Sequence, residues 1–225
     1  MSSVILHIET CTKMCSVALS EDGKLIDFIE NDSENYIHGE YLTVFIEEIL
    51  QKNKLIPSKL AAVSFSSGPG SYTGLRIGLS VAKGICFALC KPLISVSTLK
   101  ILAIIGKEKH PNTTLVPMID ARRDEVYCEI FDEKLNSIKP LSSDILDASS
   151  YQNFEPFVFF GDGAEKMSNL WFDRNTKIDP SIKLSAKGQV TLAYEKFIQN
   201  DFENLAYFTP TYLKEFMIDG GKKKH

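Results

Sequence analysis

The chain's most chemically suggestive stretch is Gly68-Pro69-Gly70-Ser71-Tyr72-Thr73-Gly74-Leu75-Arg76-Ile77-Gly78. A strand pattern, Ala61-Ala62-Val63-Ser64-Phe65, precedes it and a helical pattern follows. A glycine-rich turn opening a helix is an anion site in principle, because free N–H groups and the helix dipole both favour negative charge. The phosphate-loop pattern, however, ends in Gly-Lys-Ser/Thr, and Gly74-Leu75-Arg76 stands there instead. The dinucleotide pattern fails as well, since Thr73 occupies the place of the third glycine. Gly74, Gly78 and Ala82 recur every four residues and share one helical face. A glycine inside a helix costs about 1 kcal/mol relative to alanine, so a close backbone contact is expected in compensation. Two contacts remain open: this protein's own sheet or first helix, or a helix of another subunit.

Other chemistry is sparser. Glu9 and Thr10 close the first strand pattern, and Gly161-Asp162-Gly163 closes a later one, a strand-to-helix turn that suits glycines at positive φ. Asp120 with Arg122 and Arg123 suggests a hairpin turn, an ion-pair cluster or an anion patch. The four histidines, His7, His38, His110 and His225, include no pair at helical spacing, which a zinc protease would need. Cys11, Cys15, Cys86, Cys90 and Cys128 include two pairs four apart, without the tight knuckles of structural zinc sites. Cys86 and Cys90 lie in an apolar helical stretch where cysteine packs as a small hydrophobe. No metal site is expected. There is no G-x-S-x-G elbow and no Cys–His pairing.

These residues need a scaffold. Strands are expected over 4–8, 16–20 and 24–28, with Glu21-Asp22-Gly23 as a hairpin turn. A helix is expected over 36–52, capped by Asp32 or Ser33, with Leu42, Phe45, Ile46, Ile49 and Leu50 as one apolar stripe and Tyr41 and Val44 on another side. A strand over 61–65, a nearly all-apolar helix over 72–89 and a strand over 92–96 complete a β-β-β-α-β-α-β half. The pattern then restarts: a helix over 97–105, strands over 115–119, 125–131 and 157–160, a helical segment from 164 and a helix over 188–200. Two similar halves imply a duplicated α/β architecture, divided here as 1–102 and 103–225, with the C-terminal segment packing back on the first half.

With 225 residues the chain can form one large domain or two small ones. A hydrophobic fraction of 44% and a charged fraction of 24% are those of a globular protein. The net charge of −4 lacks the basic excess of a stand-alone nucleic-acid binder. No targeting signal or membrane-spanning run is read, and the odd cysteine count fits reduced thiols, so a cytoplasmic protein is expected. The basic block Lys222-Lys223-Lys224-His225 reads as a solvated tail.

The 68–78 segment resembles the TsaB (YeaZ) family. So do Ile5-Leu6-His7-Ile8-Glu9-Thr10 with Cys15-Ser16-Val17-Ala18-Leu19, Pro117-Met118-Ile119-Asp120-Ala121-Arg122-Arg123-Asp124-Glu125-Val126-Tyr127, Phe160-Gly161-Asp162-Gly163-Ala164 and Tyr212-Leu213-Lys214. The resemblance covers nearly the whole chain, in order. It implies the actin-like, sugar-kinase (ASKHA) fold with two related α/β halves. It implies a non-catalytic scaffold in the transfer of a threonylcarbamoyl group to N6 of adenosine in tRNA. It also implies a TsaD-like catalytic partner, a TsaE-like ATPase in a larger complex, indirect contact with tRNA, and a homodimer when the chain is alone. The partner surface is expected on Tyr41, Leu42, Phe45, Ile46, Ile49, Gly74, Gly78 and Ala82. Active ASKHA members carry an aspartate where Glu9 stands. Glu9, Thr10, Gly161, Asp162 and Gly163 are therefore, at most, a vestigial nucleotide site, and no cofactor is expected. An ATP-dependent phosphotransferase or a metalloprotease is the alternative.

Overall fold

The computed structural model describes residues 2–32 and 38–213. Outside them lie the expected start of the first helix, the Ser33 cap, Lys214 and the basic block at 222–225. The described strands form two five-stranded sheets. In the first, β1 (Val4–Glu9), β2 (Met14–Glu21), β3 (Lys24–Asp32), β4 (Leu60–Ser66) and β5 (Leu93–Val96) take the order β3-β2-β1-β4-β5. In the second, β6 (Thr114–Asp120), β7 (Glu125–Phe131), β8 (Ser137–Ile145), β9 (Phe157–Phe160) and β10 (Thr176–Ile178) take the order β10-β9-β6-β7-β8. Counted within each half, the two orders are the same. In both, the first two pairings are antiparallel and the remaining one with the first strand is parallel.

The strand alternation decides what faces what. Every residue of β1 is buried, because both faces of its sheet are covered. Val4, Leu6 and Ile8 meet α1 (His38–Lys52) and α2 (Tyr72–Leu89), while Ile5 joins the core between the sheets. That middle core is built from β5, α3 (Thr98–Lys109) and α4 (Val190–Gln199) together with β6 and β9. A third core beyond the second sheet is centred on Trp171, whose ring meets Tyr151, Phe157 and Phe159. The Asp22-Gly23 hairpin takes positive φ at both residues, as a tight two-residue turn requires.

The last helix of each half packs on the other half. α3 follows β5 in the chain but lies on β6, and α4 follows β10 but lies on β5, β1 and β3. A division at 102/103 would cut through α3, which is one continuous helix of the middle core. Segment 186–199 belongs spatially to the first sheet. Two strands escape the sequence reading. β8 carries Pro140 and mostly polar residues, which an edge strand tolerates because its outer N–H groups need no partner. β10 has three residues, too few for a periodic signal. Asp32 ends β3, pairs with Met14 and forms an ion pair with Lys183.

Exchange of the terminal helices makes each half's core incomplete without the other. Unfolding by denaturant is therefore expected as one transition. The fluorescence of Trp171, the sole tryptophan and a member of the second half, should trace the same curve as far-ultraviolet circular dichroism of the whole chain. Two separated midpoints would contradict the exchange as the source of cooperativity.

Candidate functional site

Two surfaces bear on function. The first is a cleft of ≈ 1140 Å³ between the halves. One wall comes from the β1–β2 turn (Cys11, Thr12, Lys13, Met14) and the glycine loop Pro69-Gly70-Ser71. The other comes from the β6–β7 turn and from Gly161 and Asp162. Within the first wall, the β1–β2 turn and the glycine loop pack directly on each other. Cβ atoms built on Gly70 and Gly74 would strike the Cys11 and Thr10 carbonyl oxygens, and the Ser71 N–H donates to the Cys11 carbonyl at 2.6 Å. The Thr10 hydroxyl donates to the Gly74 carbonyl at 2.8 Å.

Glu9 does not reach the cleft either. As an odd-numbered β1 residue it points between the sheets, fully buried. Its carboxylate accepts the Cys11 N–H at 2.8 Å and the Ser66 hydroxyl. The chain of contacts continues. Gln189 Nε2 donates to Ser66 Oγ at 3.1 Å and to the Ile8 carbonyl at 2.7 Å, and Ser64 donates to Gln189 Oε1 at 2.5 Å. His7 bridges Ser64 at 2.9 Å and Ser20 at 2.7 Å. Burial pushes the Glu9 carboxyl up to about 7, against the pull of Ser66 and Cys11, and pushes His7 down to about 3. Sequence reading missed this layer. Its signal was the alternation of His7 and Glu9 with Ser64 and Ser66 at every second position of β1 and β4.

The remaining residues of the expected nucleotide site lie in the turn that follows β9. Gly161 has φ +100, and a Cβ there would strike the Met118 carbonyl. Gly163 has φ −84, so its smallness serves close approach to Ile119, at 2.9 Å from an added Cβ, and not a left-handed turn. Asp162 Oδ1 accepts the Asp120 N–H at 2.9 Å. Asp120 pairs with Lys166 at 2.6 Å and accepts the Arg122 N–H at 2.7 Å. Among the described residues no three His, Cys, Asp or Glu side chains converge as a metal site would require, and all five cysteines are free.

The second surface is the outer face of α1 and α2. Leu42, Phe45, Ile46, Ile49 and Ala82 are buried in the core under the helices. Gly74 and Gly78 face the β1–β2 turn, where a Cβ on Gly78 would strike the Thr10 hydroxyl. Seven of the eight residues expected at a partner surface therefore point inward, because the core stripe and the small-residue stripe both serve this chain's own sheet. Tyr41 is the exception, 43% exposed. Beside it on the outer face are Val44, 49% exposed, and from α2 the exposed Gly84 and Phe87 with half-buried Ile77 and Val81. An added Cβ on Gly84 meets nothing within 4 Å. Gly84 is an interior helix glycine that no contact among the described residues explains.

The match to known proteins is extensive. Residues 35–223 match the family model described as TsaD, tRNA N6-adenosine threonylcarbamoyltransferase. The chain is 28% identical over 219 residues to the tRNA threonylcarbamoyladenosine biosynthesis protein TsaB of Escherichia coli, covering 93% of this chain and 94% of that one. It is 35% identical over 134 residues to the protein of the same name from Haemophilus influenzae. There the match spans 59% of this chain and 56% of the relative, little more than half that relative's length. The structure of YeaZ from Pseudomonas aeruginosa superposes with a TM-score of 0.79 at 25% identity, covering 94% of this chain and 100% of that one.

The buried layer has a pH signature. The folded state holds the Glu9 proton more tightly than the unfolded chain, so stability falls as pH rises from 4.5 to about 7. His7 holds its proton less tightly when folded, so stability falls as pH drops from 6.5 to about 3. The two slopes oppose each other between 4.5 and 6.5. Glu9→Gln removes the first, and the variant should gain on the wild type by about 3 kcal/mol between about pH 5 and pH 8 in urea titrations. A constant difference would show that Glu9 keeps its ordinary affinity for the proton.

The glycines give a second test. Gly78→Ala should destabilise by about 1–3 kcal/mol through the Thr10 clash. Gly84→Ala should stabilise the isolated chain by up to about 1 kcal/mol, the full helix-propensity difference. Thermal melts of both variants check the opposite signs.

Proposed function

We propose, from the premise that this chain belongs to the TsaB/YeaZ family and carries a domain of the tRNA N6-adenosine threonylcarbamoyltransferase type, that it is a non-catalytic subunit in tRNA threonylcarbamoyladenosine synthesis. Its work is to hold a TsaD-like catalytic subunit in a competent arrangement, within a cytoplasmic complex that also recruits a TsaE-like ATPase and meets tRNA through those partners. The observation that carries this reading is the apolar outer face that α1 and α2 leave exposed. Glu9 and Thr10 are held in internal hydrogen bonds, away from the cleft lining. Tyr41, Val44, Ile77, Val81 and Phe87 present apolar surface outward, and each Å² left in water forgoes about 25 cal/mol.

The docking surface proposed here is that outer face, with Gly84 letting a partner helix approach closely. The inward residues Leu42, Phe45, Ile46, Ile49, Gly74, Gly78 and Ala82 support it from beneath. The same self-complementary patch suits a two-fold homodimer when the catalytic subunit is missing. The two halves, each with one sheet, act as one rigid carrier for the helix pair.

Incubated alone with ATP, threonine, bicarbonate and tRNA, the chain should yield no modified nucleoside; modification by the chain alone would sink the scaffold reading. Gly84→Arg places a charge in open space without touching the fold. It should weaken both self-association and binding of the TsaD-type subunit by about ten-fold or more, with the melting temperature unchanged or raised. Wild-type affinity in that variant would move the interface elsewhere.

A further inference from the structure

The β1–β2 turn lines the cleft on one side and grips both helices on the other. Cys11, Thr12, Lys13 and Met14 form part of the cleft wall. Behind them, the Thr12 carbonyl accepts the Nε2–H of His38, the first residue of α1, at 2.7 Å. The Thr10 hydroxyl donates to the Gly74 carbonyl in the first turn of α2 at 2.8 Å, and the Cys11 carbonyl accepts from Ser71, the residue capping α2, at 2.6 Å. His38, Thr10 and Cys11 are all buried. Three consecutive residues of one turn thus hold His38 on α1 and the N-terminus of α2, more than thirty residues apart in the chain. The glycines leave no slack: with Gly74 and Gly78 against Thr10, α2 can neither slide toward the turn nor rotate about its own axis without collision.

Farther along, no side-chain hydrogen bond or ion pair joins α1 to α2 among the described residues. Their outer residues Tyr41, Val44, Val81 and Gly84 occupy a surface whose shape depends on how the two axes are set. We propose that Thr10 and His38 are positioning residues for the docking face: they set the relative placement of α1 and α2, so that association through the outer face depends on two buried residues that touch no partner. The inference rests on the assignment of that face as the docking surface. It differs from ordinary core stability because a mis-set helix pair can be fully folded and still present the wrong surface, and preorganised surfaces bind by avoiding that cost.

The experiment uses the full chain. Thr10→Val keeps the shape of the side chain and removes the donor to Gly74; Thr10→Ser keeps the donor. His38→Phe removes the link to Thr12; His38→Gln can restore it through its amide N–H. Dissociation constants for self-association, by sedimentation equilibrium, and for the TsaD-type subunit of the same cell, by calorimetry, are measured well below the melting temperature of each variant. Thr10→Val and His38→Phe should weaken association about five-fold or more, with far-ultraviolet circular dichroism unchanged, while Thr10→Ser and His38→Gln return toward wild type. If His38→Phe fails to fold, the Thr10 pair decides alone. Melting temperatures that fall while dissociation constants stay at the wild-type value would overturn the inference and leave the two residues a structural role only. Gly84→Arg separates the layers: if it leaves association intact, the outer face is not the docking surface, and the inference falls with it.

Discussion

The carbonyl oxygens of Thr10 and Cys11 lie against the α-carbons of Gly74 and Gly70, and the first half of the molecule is arranged around that approach. A backbone carbonyl can sit on a helix only where the helix shows no side chain, and the four-residue spacing of Gly74, Gly78 and Ala82 clears such a track. The conformational cost of two interior glycines is offset by hydrogen bonds that the approach permits, from Ser71 to Cys11 and from Thr10 to Gly74. That approach seats α2 and the glycine loop against the β1–β2 turn.

Behind the turn, the layer of Glu9, Ser66, Gln189, Ser64, His7 and Ser20 does what an apolar core does elsewhere, but with direction. Every member has a partner, as burial demands. Gln189 enters this layer from the far end of the chain, at the base of α4, and ties the C-terminal segment to β1 and β4. With α3 lodged on the second sheet and α4 on the first, neither half keeps its own last helix. The outer helices α1 and α2 are thus carried on a platform whose two parts cannot drift independently.

The helix pair divides its small residues between two tasks. Gly74 and Gly78 face inward and their smallness is consumed by the turn; Gly84 is exposed and its smallness is used by nothing among the described residues. The apolar residues divide in the same way. Leu42, Phe45, Ile46 and Ile49 complete the core, while Tyr41, Val44 and Phe87 are left outside it. A residue that looks costly in one chain by itself is the kind that a second chain can explain.

The sequence by itself determined the order of the elements other than β8 and β10, the duplication and the family. Long apolar runs, 3.6- and 2-residue periods and the 68–78 segment are local signals that survive without coordinates. It also determined that the glycines of α2 must meet something closely, because their helix cost is intrinsic. Only the tertiary structure decided what they meet. Gly78 and Gly84 read alike as letters, and which one faces the sheet depends on how α2 rolls against β1, a sum of contacts from residues far apart in the chain. The same holds for Glu9, whose place in the sequence suggested a site by the cleft. Strand alternation turned it between the sheets, and Ser66 and Gln189, brought there by the fold, made it part of a buried polar layer. Periodicity is written along the chain; the partner of each side chain is set by the packing of elements that the chain places far apart.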